Sequence, residues 1–167
     1  MVETTAFKKS IEKKKTNKGF GIFAKSDIVK GSVIFEFIGE VIDRSKVPNP
    51  LTPENDHYLQ IGKDTYIGPS GNLDQMINHS CNPNAAVYIV GHRAFVKSLC
   101  LITAGSEITF DYSTTSSDTP EEWKLDCLCG SFNCRKTISG YHSLDEATKT
   151  KYKELGLIPS YLTAEEK

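Results

Sequence analysis

Asn78-His79-Ser80-Cys81-Asn82-Pro83-Asn84 follows directly on the apolar pair Met76-Ile77. Polar and turn-forming side chains therefore emerge right beside the core. Asn and His carry both donors and acceptors. Such a set suits a zwitterionic, purine-containing ligand, and many ordinary loops share it. The stretch gains meaning from the cysteine at its centre.

The chain has five cysteines, three of them in Cys127-Leu128-Cys129-Gly130-Ser131-Phe132-Asn133-Cys134. Met1 to Lys18 is Lys-rich and has no apolar signal core. An odd count without a secretion signal argues against a disulfide framework and for a metal site. Zinc takes four ligands, commonly at spacings of two to four residues. Here the first spacing is a single residue, so a fourth thiolate has to come from elsewhere. Cys81 and Cys100 are the candidates. Cys81 lies in a Pro/Asn-rich turn that can present a thiolate, whereas Cys100 lies in the apolar run Ser98-Leu99-Cys100-Leu101-Ile102, where a buried free cysteine is common. Cys81 is the better choice. The alternatives are three unpaired thiols on a loop, or a redox dithiol without the usual Cys-x-x-Cys spacing.

The remaining composition bounds the class. A chain of 167 residues makes one compact domain, and 38% hydrophobic with 25% charged residues argues against disorder. A net charge of -1 argues against nucleic acid as a direct partner. No apolar stretch approaches the roughly 18 residues of a membrane span. The expectation is a soluble, intracellular protein, with nucleus and cytoplasm undecided. Asn78-His79-Ser80 also matches a glycosylation acceptor, which an intracellular chain would not use.

Short strands dominate. Val33–Ile38 is β-branched and aromatic, and Val41-Ile42 continues it past Gly39-Glu40. Strands are expected at His57–Ile61, Thr65–Ile67 and Ile108–Tyr112, with a hairpin of Ala85–Val90 and Ala94–Val96 across Gly91-His92. Pro48, Pro50 and Pro53 mark a loop. Lys8 to Lys18 reads as a solvated basic strand edge or arm. Thr119-Pro120-Glu121-Glu122 has the form of a helix start. Ser143-Leu144-Asp145-Glu146, with Gly156 and Pro159 as stop, predicts a helix over Leu144–Leu155. Gly19-Phe20-Gly21 lets a ligand approach the backbone, or is an ordinary strand turn; it lacks the third glycine and opening helix of a dinucleotide fingerprint. Phe110 and Tyr112 share one strand face, and by composition alone are two core aromatics.

In this order, the segments resemble the SET-domain protein-lysine methyltransferases. The matching motifs are Lys18-Gly19-Phe20-Gly21, Phe37-Ile38-Gly39-Glu40, Gly71-Asn72 leading to Asn78–Asn84, Gly105–Tyr112, and the final Cys-x-Cys-x-x-x-x-Cys-Arg. The resemblance implies a mostly β fold, a β-clip of short strands with a pseudoknot, a C-terminal zinc module and a helix. It divides the chain into a SET domain at 1–115 (core from about 7), a post-SET-like zinc module at 123–139 and a helical extension at 140–167, whose helix is expected over the zinc module. It places S-adenosyl-L-methionine against Lys18, Gly19, Phe20, Gly21, His57, Tyr58, Asn78, His79 and Leu128. Tyr112 matches the catalytic tyrosine, and Phe37, Phe110 and Tyr112 the lysine channel. One zinc would sit on Cys81, Cys127, Cys129 and Cys134. The implied partner is a protein or peptide presenting a lysine, a histone tail among the options.

The implied chemistry suits these residue types. Only a neutral amine attacks a methyl group, and the free lysine pKa is about 10.4. An apolar channel beside a sulfonium charge disfavours the ammonium, and in-line placement does most of the rest. Phenylalanine at 110 leaves room for di- or trimethylation. Phe20 stands where the family commonly has tryptophan, Phe37 where many members have tyrosine, and Gln75 where an arginine is common. Two other classes compete: a catalytically weak SET-like module that binds partners, and a small zinc protein that binds nucleic acid. The second lacks both a basic charge and a Cys/His finger pattern.

Overall fold

A computed structural model describes residues 10–49, 51–52 and 57–164. The proline loop keeps only Pro48 among these; Pro50, Pro53, Lys8 and Lys9 lie outside the described residues. Among the described residues, twelve short strands in four small sheets carry the fold.

The sheet that positions the site is built from the two ends of the core. Strands β1 (Ile11–Thr16) and β2 (Gly19–Ala24) form an antiparallel hairpin, and β1 is an edge, as its run of lysines suits. β2 alternates, burying Ile22 and Ala24 completely. β10 (Glu107–Phe110) pairs antiparallel with β2 through Ile108↔Ile22. On its other side it runs parallel to β7 (Asn78–His79), with Thr109↔Asn78 and Phe110↔His79. The polar heptapeptide and the Phe110–Tyr112 segment are therefore threaded side by side.

β3 (Val33–Glu36), β8 (Ala85–Val90) and β9 (Arg93–Ser98) form a second sheet in the order β3-β9-β8. β4 (Val41–Asp43), β5 (Leu59–Gln60) and β6 (Thr65–Ile67) form a third, with β6 central. Val41-Ile42 thus belongs to a different sheet from Val33, and does not continue that strand. The break comes at Gly39, where an added Cβ would overlap the carbonyl of Gly68. One aliphatic core joins these sheets through Ile22, Ile34, Ile77, Val87, Val96 and Ile108.

A two-stranded ribbon of β11 (Leu125–Asp126) and β12 (Thr137–Ile138) brackets the cysteine loop. The sequence pattern did not reveal it, because each strand is only a dipeptide. The helix expected from Thr119 is a single turn: Thr119 N–H donates to Glu122 Oε2, and the chain then enters β11.

The main helix, α1, is Glu146–Glu154, two residues later than expected at its start. Asp145 is the cap, accepting from Thr148 N–H at 2.9 Å, while Ser143 sits in a preceding 3-10 turn. Leu157 N–H to Tyr152 O and Gly156 N–H to Lys153 O close its C-terminus as a Schellman motif. α1 and the short α2 (Ser160–Thr163) do not cover the cysteine module. Tyr141, Leu144, Tyr152, Leu157 and Leu162 pack instead against Ala86, Tyr88 and Leu99. Burial on an existing sheet face gives these apolar residues more contact than the small ribbon could. No helix among the described residues is long and apolar enough to cross a membrane.

Candidate active site and cysteine cluster

Beside the threaded strands lies a cleft of about 690 Å³. Lys18, Phe20, His57, Tyr58, Asn78, His79 and Leu128 line it, together with Phe37, Phe110 and Tyr112. Gly19 and Gly21 do not line it. Gly19 closes the β1–β2 hairpin. Gly21 lies beneath the site: a Cβ there would come 2.6 Å from Glu107 Oε1 and 2.9 Å from Asn78 Nδ2. Its bare Cα leaves space for a compact polar group. Glu107 Oε2 accepts from Lys18 Nζ at 3.2 Å, and Oε1 accepts from Asn78 Nδ2 at 2.7 Å. The same amide donates to Phe20 O at 2.9 Å. Asn78 thus spends its amide donors within the protein.

His79 is equally committed. Tyr112 N–H donates to Nδ1 at 3.2 Å, so Nδ1 is the acceptor and Nε2 carries the proton. Nε2 then donates to Cys81 Sγ, 3.2 Å away. Burial holds the imidazole down at about 4, against the pull of Asp111, so it is neutral at pH 7. A neutral ring directed onto sulfur ties the cysteine cluster to the backbone of Tyr112.

The aromatic side of the cleft is a continuous row. Phe37 meets Phe110 at 6.2 Å, edge-on, and Phe110 meets Tyr112 at 4.9 Å. Tyr112 is not the end of a strand, as its alternation with Phe110 suggested. It opens a 3-10 turn, Tyr112–Thr114, which Asp111 caps by accepting from Ser113 N–H. The turn swings the ring while leaving it against Phe110. Its hydroxyl donates to Ile77 O at 2.7 Å.

Asp111 was not singled out in the sequence, yet it is the most connected polar residue here. It is 1% exposed. Arg135 grips it through two bonds of 2.7 and 2.8 Å, and Tyr152 OH donates to it at 2.8 Å. Burial pushes its carboxyl up, but the Arg135 bonds, aided by His79 and Tyr152, outweigh that and hold it below the usual carboxylate range. Arg135 ends the cysteine motif, which was the available signal. Glu107 lies in the quoted Gly105–Tyr112 motif and gave no signal of its own. Arg44 and Asp118, 3.1 Å apart, form another ion pair, with Asp118 in the cleft wall; burial still pushes Asp118 up despite Arg44.

The sulfur atoms of Cys81, Cys127, Cys129 and Cys134 all lie within 4.8 Å of one another. Cys81 and Cys127 are 3.7 Å apart, close to the roughly 3.8 Å edge of a tetrahedron with 2.3 Å zinc–sulfur bonds. Cys100 is exposed and is not part of this group. Burial pushes the Cys81 and Cys127 thiols up; at Cys129 the Ser131 hydroxyl and backbone N–H groups overcome burial and bring the thiol to about 6. Arg135 N–H also donates to Cys81 Sγ at 3.4 Å. Four sulfur donors this close could hold a metal ion, and the donor set fits zinc.

Comparison with known proteins agrees with this geometry. A family model described as SET domain matches residues 19–113. The variant-silencing SET domain-containing protein of Plasmodium falciparum is 36% identical over 156 residues, covering 83% of this chain and 6% of that protein. Histone-lysine N-methyltransferase mes-4 of Caenorhabditis elegans is 32% identical, covering 72% and 16%. The H3 lysine-36 specific histone-lysine N-methyltransferase of Debaryomyces hansenii is 37% identical, covering 78% and 19%. The chain thus spans less than a fifth of the length of these relatives. A solved structure of KRYPTONITE with mCHG DNA and SAH superposes with a TM-score of 0.64 at 26% identity, covering 77% of this chain and 29% of that one. Another, at 0.62 and 26% identity with the same coverages, also holds an H3(1-15) peptide.

Proposed function

Because the chain belongs to the SET-domain family, we propose that it transfers a methyl group from S-adenosyl-L-methionine to the side-chain amine of a protein lysine, with a histone tail as the substrate class. The names of its relatives and the bound molecules of the KRYPTONITE structures support this reading. The observation that carries it is the single cleft in which Lys18, Phe20, Asn78 and His79 meet the row Phe37, Phe110 and Tyr112.

The methyl donor supplies the sulfonium and the transferred carbon. The residues of this chain do the rest. With the donors of Asn78 and His79 already engaged, these residues meet a ligand through backbone and ring rather than through side-chain donation. Lys18, held by Glu107, supplies a fixed positive charge for a carboxylate. The Phe37–Phe110–Tyr112 row encloses the alkyl stem of the lysine and disfavours its ammonium form by desolvation. Tyr112 directs its proton to Ile77 O, so it presents oxygen and ring to the amine and positions it instead of acting as the base. Phenylalanine at 110 supports more than one methyl addition. One zinc held by Cys81, Cys127, Cys129 and Cys134 belongs to the same proposal; its role is to hold the cysteine loop and Leu128 against the cleft.

The test is calorimetric titration with S-adenosylmethionine, followed by methyl transfer to core histones and a lysine peptide array with mass readout. Micromolar affinity and mass increments of one or more methyl groups are expected. Absence of any affinity at that level would sink the enzymatic reading.

A further inference from the structure

The C-terminal extension lies past residues 19–113, which the family model matches, and α2 is the last element described in it. Tyr161 in α2 packs its ring with the cluster of Tyr141, Tyr152, Leu157 and Leu162. For that packing a phenylalanine would serve as well. The hydroxyl has a different task. It stands 2.8 Å from Thr115 O and 3.0 Å from Gln60 O, and shares its one proton between these two carbonyls. Burial, with Tyr66 adding to it, pushes this hydroxyl up, so it keeps the proton it shares.

Both carbonyls belong to residues that line the cleft, whereas Tyr161 itself does not line it. Gln60 lies on β5, an edge strand of the third sheet. Thr115 closes the 3-10 turn that Tyr112 opens. Its N–H and its Oγ1 both donate to Tyr112 O, each at 3.2 Å. A single residue, Thr115, therefore links the Tyr161 hydroxyl to the backbone of Tyr112. Gln60 Oε1 joins the same segment from the other direction, accepting from Ser117 N–H at 2.8 Å. The extension grips the segment once more just beyond: Tyr141 N–H donates to Ser116 O at 2.7 Å, and a Cβ on Gly140 would overlap Asp118 O.

We infer that Tyr161 is a positioning residue for the lysine side of the cleft: from outside it, the hydroxyl fixes the spacing between β5 and the turn that carries Tyr112. Neither bond of this hydroxyl runs to β2 or β7, which carry Phe20 and Asn78, so binding of the methyl donor should not depend on it. The inference rests on the methyl-transfer reading of this cleft.

Two probes separate the inference from that reading: S-adenosylhomocysteine, and a conjugate joining the same adenosyl group to the side-chain nitrogen of N-acetyl-lysine methylamide. Both are titrated by calorimetry into the full chain, into Tyr161→Phe and into Leu157→Val. Leu157 is 3% exposed in the same cluster, so trimming it lowers the thermal midpoint while leaving the hydroxyl in place. Both probes should bind the unaltered chain. Tyr161→Phe should weaken the conjugate roughly five- to tenfold, the worth of one hydrogen bond, and leave S-adenosylhomocysteine within about twofold. Leu157→Val should leave both within about twofold. If Tyr161→Phe leaves the conjugate unchanged or weakens both probes equally, or if Leu157→Val weakens the conjugate as much, Tyr161 is packing only and the inference falls. Binding of S-adenosylhomocysteine without the conjugate would also overturn it, and leave the donor site standing. If neither probe binds the unaltered chain, the methyl-transfer reading fails and takes the inference with it.

Discussion

Replacing Tyr152 by phenylalanine removes one oxygen and leaves the ring in its cluster with Ala86 and Leu157. Tyr152 is 2% exposed, and its hydroxyl is 2.8 Å from an Asp111 carboxylate that is itself 1% exposed. A hydrogen bond to a charged group contributes about 1.5–3 kcal/mol. Asp111 keeps both Arg135 bonds, so Tyr152→Phe should cost about 2 kcal/mol. Asp111→Asn should cost more, about 3–5 kcal/mol, because it leaves the Arg135 guanidinium without its counter-charge. Arg135 keeps 19% side-chain exposure, which puts the expected loss at the lower end of that range. The assay is urea unfolding, comparing midpoints at unchanged slope. A change below about 0.5 kcal/mol in Tyr152→Phe, or a larger loss there than in Asp111→Asn, would refute the view that this buried carboxylate fastens the C-terminal helix to the cysteine module and to the turn of Tyr112.

Acid should act on the same carboxylate. A folded pKa held below the unfolded value of about 3.9 means that the stabilisation is complete above that pH, and is lost as pH falls below it through the folded value; urea midpoints of Asp111→Asn should be less sensitive there than those of the unaltered chain. Metal analysis should find one zinc per chain, lost in Cys81→Ser and kept in Cys100→Ser; full retention in Cys81→Ser would point to another ligand. Gly21→Ala should displace Glu107 and Asn78, cost about 1–3 kcal/mol in stability and weaken S-adenosylhomocysteine binding, with unchanged binding counting against that polar group. Tyr112→Phe should lower methyl transfer by about a hundredfold through lost positioning; an intact rate would show that the hydroxyl has no part in it.

Several parts of the fold were legible before any coordinates. Thr65–Ile67 and the Ala85–Val90 hairpin follow from β-branched patterning and a tight turn. The choice of Cys81 over Cys100 followed from local context, and the sulfur geometry agrees with it. Other parts had no local signature. β11 and β12 are dipeptides that exist because the cysteine loop joins them. Thr119-Pro120-Glu121-Glu122 has the start of a helix, but the apolar Trp123, Leu125 and Cys127 that follow alternate with a strand's period of two, so the turn does not propagate. Ser143 and Asp145 both suit a cap, and the burial of Tyr141 and Leu144 decided between them.

The sequence by itself determined which chemistry is present: four thiols of the right kind, a polar heptapeptide beside an apolar pair, and aromatics two residues apart. These follow from residue type and short spacing, which act locally. Only the tertiary structure decided which atoms are spent and which are left. Parallel pairing of β7 with β10 aims His79 at both Cys81 and Tyr112. Long-range packing brings Arg135 and Tyr152 onto one buried carboxylate, and leaves the Trp123 indole N–H without a partner. A hydrogen bond works over about 3 Å, whereas Arg135 and Tyr152 lie 24 and 41 residues from Asp111, so that pairing is set by the packed chain and by no local pattern.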